Sequence, residues 1–224
     1  MSIHSIITGD IVSSQAIPPQ LRRKIFEATD SYLKNLQKEW ITSYETFRGD
    51  SFQCQCKSPE LALRVALIIR AFFKSYTPEN TGITTSSKGY FATEFDIRVA
   101  AGIGPVDFIN KNKIATSDGQ AFRLSGEALD QLKQQPYRMA IKTGKEDIDR
   151  QLEPSILLLD AVIQKWTQNG AEIILYSLQN KKEDEIAAIL KISQSAVNQR
   201  KKNAQWFAIE RLIQYFESTV QSWF

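Results

Sequence analysis

Two aspartates in the first quarter of the chain, Asp10 and Asp50, have the type and placement to support chemistry. Asp10 follows a short apolar run over residues 5–8, and Asp50 lies in the turn of a predicted hairpin over residues 40–56. If that first strand and the hairpin lie side by side in one sheet, the two carboxylates converge. Paired carboxylates suit Mg²⁺, and two such ions can clamp an in-line phosphoryl or nucleotidyl transfer.

Ser13 and Ser14 follow the first aspartate and stand near a predicted helix start, where backbone amides are available to phosphate groups. A structural interpretation competes with this one. Gly9-Asp10 and Gly49-Asp50 can both be turn dipeptides in which the aspartates act as caps. Spacing alone favours the turns, so the residues by themselves leave the metal site as the second alternative.

The elements that must position these residues follow the order β-α-β-β-α-β-α-β, which predicts an α+β domain of the ferredoxin-like or palm type. Hydrophobic periodicity predicts its helices, and short apolar or β-branched runs predict its strands. The expected helices cover residues 21–38, the segment after Pro59, and residues 122–132. The expected strands cover residues 5–8, 40–47, 52–56, 95–103 and 137–141, and residues 77–89 and 110–118 are expected to be loops.

Composition predicts an ordinary folded protein of the cytoplasm. Hydrophobic residues make up 42% and charged residues 24%, and no apolar run approaches the roughly 20 residues of a membrane span. The first residues lack a basic region and a cleavage site, so no signal peptide is expected. Cys54 and Cys56 are expected to be reduced, half-buried strand residues, because no second pair completes a tetrahedral metal site and His4 is the lone histidine.

After Gly144 no further strand is predicted, so a boundary is expected near residue 145, with one domain over 1–145 and an all-α domain over 146–224. Helical patterns cover residues 148–166, 171–178 and 183–190, with Pro154 near the true start of the first of these. A long helix is expected from residue 194 to about 217.

The strongest motif is a predicted helix-turn-helix over residues 184–200. Ile186, Ala187 and Leu190 form one apolar face, Val197 fixes the following helix, and Ser193 is a candidate N-cap. If the second helix enters the major groove, its outward residues are Gln194, Ser195, Asn198, Gln199, Lys201 and Lys202. The amides suit adenine edges and the lysines suit phosphates.

The alternative is a plain helical hairpin with a solvated basic face. The net charge of +3 argues neither for nor against nucleic acid, and the acidic run 183–185 just before the motif weakens the DNA interpretation. The long last helix carries more apolar residues than a small domain can bury alone, Trp206, Ile213, Phe216 and Trp223 among them. A homodimer interface or packing on the first domain would account for them.

Six short motifs, spread over nearly the whole chain, resemble the bacterial SatD family. They are Ile7-Thr8-Gly9-Asp10-Ile11-Val12-Ser13-Ser14, Arg48-Gly49-Asp50-Ser51-Phe52-Gln53, Ile97-Arg98-Val99-Ala100-Ala101-Gly102-Ile103-Gly104, Ser117-Asp118-Gly119-Gln120-Ala121-Phe122, Ile192-Ser193-Gln194-Ser195-Ala196-Val197 and Trp206-Phe207-Ala208-Ile209-Glu210.

The N-terminal half also resembles the class III nucleotide cyclase fold. That resemblance implies a Mg²⁺ site made by Asp10, Asp50 and the Ile11 carbonyl. It implies a nucleotide or other phosphorylated ligand near Ser13, Ser14, Arg48 and Arg123. The chain departs from the cyclase pattern after Gly119, where Arg123 and Glu127 stand in place of the Asn and Arg that stabilise the transition state. Loss of such donors costs orders of magnitude in rate.

The sequence therefore predicts a DNA-binding transcriptional regulator, dimeric, with a cyclase-like and nucleotide-sensing N-terminal domain. The alternative is a Mg²⁺-dependent nucleotidyl-transfer or cyclase-type enzyme whose C-terminal helices mediate dimerisation. A third interpretation is an adaptor built from two inactive modules.

Overall fold

The computed structural model describes residues 2–47, 50–76, 95–110 and 113–224 of the 224-residue chain. The strands in this part are β1 (Ile3–Ile11), β2 (Ile41–Phe47), β3 (Ser51–Cys56), β4 (Ile97–Phe108), β5 (Asp118–Gly119) and β6 (Met139–Lys142). The helices are α1 (Pro19–Leu36), α2 (Ala62–Ser75), α3 (Gln120–Leu132), α4 (Glu146–Gln164), α5 (Gln168–Leu178), α6 (Glu183–Leu190), α7 (Gln194–Asn203) and α8 (Trp206–Thr219). The predicted mixed α/β class is confirmed, and the palm description stays a prediction.

The strands form one sheet in the order β2-β3-β1-β4, with β5 and β6 both pairing β4. β1 lies between β3 and β4 and is antiparallel to both, whereas β6 is parallel to β4. A parallel neighbour needs a crossover, and α3 supplies it between β4 and β6. The loop predicted over residues 77–89 lies outside the described residues.

The two faces of the sheet are covered by different helices because strand side chains alternate between faces. Ile7 and Ile11 of β1 point into the main hydrophobic core, which they share with α1, α2 and the C-terminal helices. Ile6, one residue away, packs instead with Ala121 and Phe122 of α3. Thus α3 lies on one face of the sheet, and the thicker helical layer lies on the other.

A fully buried guanidinium joins three elements within that core. Arg70 of α2 donates from Nε and Nη2 to the two carboxylate oxygens of Asp96, at 3.0 and 3.1 Å, and from Nη1 to Asp160 of α4. Arg138 adds a bond of 2.7 Å to Asp96. Because a buried charge is tolerated only when paired, this network fixes α2, the start of β4 and α4 against one another.

The C-terminal helices share the main core with the sheet. Ile174 and Leu178 of α5 pack against α2, and Ile213 and Phe216 of α8 belong to the same buried cluster. Arg64 of α2 also donates hydrogen bonds to α5 and α8. Of the two explanations for the apolar residues of the last helix, packing on the first half therefore accounts for most of them. The boundary near residue 145 stays a prediction.

The helix predicted from residue 194 to 217 is wrong as a single element, since it is divided into α7 and α8. The break lies at Gln205, whose φ of 61° is in the left-handed region. Pro154, expected near the start of its helix, lies in the interior of α4. Neither feature has a strong local signal, because left-handed glutamine is uncommon and proline usually ends helices.

The two cysteines are fully buried rather than half-buried, because β3 has a neighbour on each side and both thiols point into the main core. Burial raises the pKa of the Cys56 thiol to about 12. Among the described helices, none combines the length and apolar character needed to cross a membrane.

Candidate functional site

The ends of two neighbouring strands bring Asp10 and Asp50 together. Asp10 lies opposite Ser51 in the antiparallel register of β1 and β3, and Asp50 immediately precedes β3. The backbone amide of Ile11 donates to the Asp50 carbonyl oxygen at 2.9 Å, which extends the pairing by one residue. The convergence expected from a strand end beside a hairpin is thus present in the backbone, with the Ile11 side chain buried in the core.

Asp10 stands in an environment that strains its ionised form. Burial is the largest influence on the pKa of its carboxyl group and raises it, and the nearby charge of Asp50 raises it further. Arg98 opposes both effects, since its Nη1 lies 3.4 Å from Oδ1 of Asp10. Lys133 contributes a weaker opposing charge. The net pKa is raised, which means that the surroundings disfavour the ionised carboxylate. A cation bound beside Asp10 would stabilise that ionised form.

Asp50 is held by two hydroxyl groups. Ser14 donates to Oδ2 at 2.7 Å, and Ser51 donates to Oδ1 at 3.2 Å. Ser14 is buried in the 3-10 turn Ser14–Ala16, whereas Ser13 is exposed and adopts a φ of 54°. The Ser14 hydroxyl therefore orients the carboxylate, and of the two serines it is Ser13 that faces solvent.

The two arginines expected at the phosphate site have different outcomes. Arg48 lies outside the described residues. Arg123 donates to Asp118 at 2.8 Å and lies 3.8 Å from Asp107. Asp107 is nine residues from Arg98 along β4, which is roughly 30 Å at the rise of a strand. Within one chain Arg123 is therefore at the far end of the sheet from Asp10, so its role at the nucleotide site stays a prediction that requires a second copy of the chain. Asp118, five residues before it, captures its guanidinium.

Arg98 is the site residue that sequence reasoning missed. It lies directly opposite Asp10 in the register of β1 and β4. Alternation along β4 puts it on the face opposite Ile97 and Val99, which is a signal that the sequence contains, but its cross-strand partner depends on a register that the sequence does not reveal.

A polar strip extends from Asp10 along the same face of β1. The hydroxyl of Thr8 lies 2.9 Å from that of Ser125 on α3 and accepts a bond of 3.1 Å from the Gln53 amide. Farther along, Gln55 pairs with Nδ1 of His4 at 3.0 Å. Burial lowers the pKa of His4. These bonds hold the side chains of the polar strip in fixed orientations, so the surface beside the two aspartates is pre-organised.

The residues present are sufficient for Mg²⁺ only with help from a ligand. Within the described ranges, no group of three or more His, Cys, Asp and Glu side chains is placed to hold a metal ion. Mg²⁺ commonly binds through one or two carboxylates together with substrate phosphates and waters. Asp10 and Asp50 meet that minimum. The Arg98 guanidinium would compete with a bound ion for the carboxylate of Asp10.

The C-terminal candidate is the pair α6 and α7, which are joined by a tight turn. Lys191 ends α6 with a φ of 53°, and the Ser193 hydroxyl caps α7 by accepting from the Ala196 amide at 3.2 Å. Ile186 and Val197 are buried together against Ile173 of α5. The predicted cap and the predicted contact between the two helices are both present.

Most of the residues expected to face DNA are exposed on α7. The exposed set is Gln194, Ser195, Asn198, Gln199 and Lys202. Lys201 is different, because its amine lies 3.3 Å from Glu183 and 5.7 Å from the centre of the Trp206 ring, and its side chain is only 16% exposed. The phosphate contact predicted for Lys201 therefore stays a prediction, and it would require the amine to leave Glu183.

Comparison with known proteins gives a limited result. No family model matches the chain, and no curated protein matches it. Two solved structures of bacterial light-regulated adenylyl cyclases are similar to part of it. The first shares 14% identity with a TM-score of 0.40, over 62% of this chain and 74% of the cyclase chain. The second shares 16% identity with a TM-score of 0.39, over 62% and 42%. Adenylyl cyclase activity is a property of those proteins.

Proposed function

We propose that the Asp10–Asp50 end of the sheet binds the phosphates of a nucleotide together with Mg²⁺. The observation that carries this proposal is the position of Asp10 and Asp50 at adjoining strand ends, where Asp10 lies opposite Ser51 and the Ile11 amide bonds the Asp50 carbonyl oxygen at 2.9 Å. Two neighbouring carboxylates repel, and a divalent cation relieves that repulsion. The bound ion would neutralise phosphate charge. Asp10, Asp50 and the Ile11 carbonyl are the groups proposed to hold it.

Binding is favoured over turnover by the groups around the site. Arg123 is engaged with Asp118 at the distant end of the sheet. Arg98 already offsets part of the charge of Asp10. A sensor needs only the differential binding of a ligand, whereas nucleotidyl transfer also needs groups that stabilise the transition state. The enzyme alternative requires Arg123, or an equivalent group, to come from another copy of the chain.

Titration calorimetry with ATP and GTP, with Mg²⁺ and then with EDTA, tests the site directly. We expect Mg²⁺-dependent binding that Asp10→Asn and Asp50→Asn each weaken at least about tenfold, equivalent to about 1.4 kcal/mol. Asp118→Asn is the matched control, because it removes an acidic group at the other end of the sheet. Equal affinities in all four proteins, or no binding at all, would reject the nucleotide site. A cyclic or pyrophosphate product that depends on Asp10 would favour the enzyme instead.

A second candidate function, DNA binding, is favoured by a separate observation. α7 presents a solvent-exposed face of amides and a hydroxyl, with Val197 buried behind it. The cap at Ser193 and the left-handed turn at Lys191 define where α6 ends and α7 begins. Such a face suits base edges in the major groove, and Lys202 suits a phosphate. In this proposal the chain is a nucleotide-responsive transcriptional regulator.

Selection from a random duplex library, followed by fluorescence anisotropy at two salt concentrations, tests the DNA role. We expect salt-dependent binding, with Asn198→Ala losing sequence preference by roughly 1–3 kcal/mol for the lost base contact. Gln134→Ala, which changes an exposed amide beyond the end of α3, is the control. If no duplex is enriched with or without MgATP, α6 and α7 are better interpreted as a protein-contact element.

A further inference from the structure

A long groove follows the outer edge of the sheet at β6. Its middle part is lined by residues of α3, β6 and α4. Tyr137 and Leu157 continue it toward Lys165, and Lys142 and Glu153 continue it toward Glu146. Within the described residues β6 pairs only with β4, so one side of this strand faces the groove. An unpaired strand edge normally carries charges or a cover that prevents association.

Apolar side chains of α4 lie beside this edge. Leu158 is 72% exposed, Ala161 is exposed, and Leu157 is half-buried at the groove. The other side of α4 buries Ile156 and Ile163 in the core, so Leu157, Leu158 and Ala161 are not part of that core. We call the stripe formed by Glu153, Leu157, Leu158, Ala161 and Lys165 the α4 edge stripe.

The α4 edge stripe is complementary to itself under a two-fold rotation. Residues four apart share a face of a helix, so Glu153, Leu157, Ala161 and Lys165 follow one line. The midpoint of that line lies between Leu157 and Ala161, on the face of α4 opposite the buried Leu159. When two copies of α4 cross antiparallel at this midpoint, each Glu153 meets the Lys165 of the other copy, and each Leu157 meets an Ala161. Neither Glu153 nor Lys165 has a salt-bridge partner among the described residues, so both charges are available for this pairing.

We propose that two copies of this chain associate through the α4 edge stripe and the adjoining β6 edge. The pairing is isologous, with Leu157 and Ala161 at its centre, the exposed Leu158 beside them, and the Glu153–Lys165 pairs at its ends. α4 has 19 residues and is about 28 Å long. A stable dimer needs about 800 Å² per partner, so the groove along β6 and the rim of α3 must contribute with the helix.

This interface differs from the one that the sequence suggests. Ile213 and Phe216 of α8, together with Val220 just after it, are buried inside a single copy, which removes most of the apolar stripe from which a dimer was expected. The large apolar residues that remain exposed on α8 are Phe207, which is 72% exposed, and Tyr215. The Arg211 guanidinium lies 5.5 Å from the ring centre of Phe207. The equal exposure of Leu158 and Phe207 supplies a matched comparison.

Light scattering coupled to size exclusion, extended by sedimentation velocity up to about 100 µM, measures the association constant. Two copies of the 25.5 kDa chain give 51 kDa. We expect the wild type to be dimeric and Leu158→Glu to raise the dimer Kd about 30-fold or more, as loss of a central hot spot does. Phe207→Glu should leave the Kd unchanged. Circular dichroism checks that both variants keep their helices, which is expected because both side chains are mostly exposed.

Charge reversal provides an independent arm. Glu153→Lys and Lys165→Glu should each weaken the dimer, and the double variant should recover the wild-type Kd. A wild type that is monomeric at about 100 µM, a Phe207→Glu variant that dissociates, or a Leu158→Glu variant that stays dimeric would each overturn the proposal. Neither DNA nor nucleotide enters these measurements, so their outcome is independent of the proposed function.

Discussion

Gly102 of β4 lies so close beneath α3 that a Cβ atom at position 102 would stand 2.1 Å from the carbonyl oxygen of Ala121. The same atom would stand 2.6 Å from the Ser125 amide nitrogen. Both are backbone atoms, which cannot move aside without moving the helix. The absence of a side chain at Gly102 is therefore what lets α3 cross the sheet and bring Ser125 to Thr8.

The first prediction concerns this contact. Gly102→Ala should destabilise the protein by about 1–3 kcal/mol, because α3 must lift from the sheet to make room for the methyl group. Gly126→Ala is the control on the same helix, where an added Cβ has no atom within 4 Å. That substitution should stabilise by about 0.5–1 kcal/mol, since alanine has less chain entropy to lose than glycine. Urea denaturation measures both, and a stabilised Gly102→Ala variant would contradict the packing described.

The second prediction concerns the buried guanidinium. Arg70→Ala should destabilise by about 3–5 kcal/mol, because Asp96 and Asp160 keep buried charges without their main partner. Arg23→Ala removes an exposed i,i+4 pair with Glu27 and should change stability by no more than about 0.5 kcal/mol. Thermal melts of the two variants give the comparison. Equal melting temperatures would mean that the Arg70 network adds nothing.

The third prediction is a pH dependence that follows from Asp96. Burial, the largest single influence, would raise the pKa of its carboxyl, but Arg70 and Arg138 together outweigh it and the pKa lies below the usual value. An aspartate in the unfolded chain has a pKa of about 3.9. The contribution of Asp96 to the free energy of unfolding is therefore complete above that pH. It is lost as the pH falls through the lower pKa of the folded state.

Urea unfolding at a series of pH values from neutral down to about 3, just below the unfolded pKa, measures this loss. Asp96→Asn has no carboxylate to take up a proton, so its stability should fall less steeply over the acidic range than that of the wild type. Parallel curves for the two proteins would show that Asp96 does not carry the effect.

The arrangement of helices and strands was largely within reach of the sequence, because buried strands and amphipathic helices each leave a periodic pattern. α1 was predicted over residues 21–38 and spans Pro19–Leu36. The division at Gln205 could not be predicted, because glutamine carries no preference for a positive φ. After this division Ile209 is buried in the main core and Trp206 packs against it, contacts that a local pattern does not specify.

The candidate site was predictable only in its backbone. A strand end and a hairpin turn predicted that Asp10 and Asp50 would be neighbours. The contact of Arg98 with Asp10 required the register of β1 and β4, and the bond from Ser14 to Asp50 required the 3-10 turn after β1. Arg123 was assigned to the site from the resemblance to the cyclase fold, and that resemblance could not reveal the carboxylate five residues earlier that binds it.

The fourth prediction separates two adjacent lysines of α7. Lys202→Ala should weaken binding to all selected duplexes alike and lower the salt slope by about one unit for the lost phosphate contact. Lys201→Ala should leave the salt slope nearly unchanged, because its amine is engaged with Glu183 and Trp206. Anisotropy titrations at several salt concentrations distinguish them. Equal slope changes would mean that Lys201 leaves Glu183 when DNA binds.

The packing of α5 on α2 bears on how the two halves of this chain can be handled and exchanged. Arg64 of α2 bonds Glu217 of α8 at 2.6 Å and the Leu178 carbonyl at 3.1 Å, beside the apolar contact made by Ile174. A fragment beginning at residue 146 would expose that apolar surface to water and leave Glu217 without its guanidinium. The C-terminal helices are therefore not a unit that can be transferred to another protein by themselves. Fusing them to a different sensory module would require grafting the outer face of α2 as well.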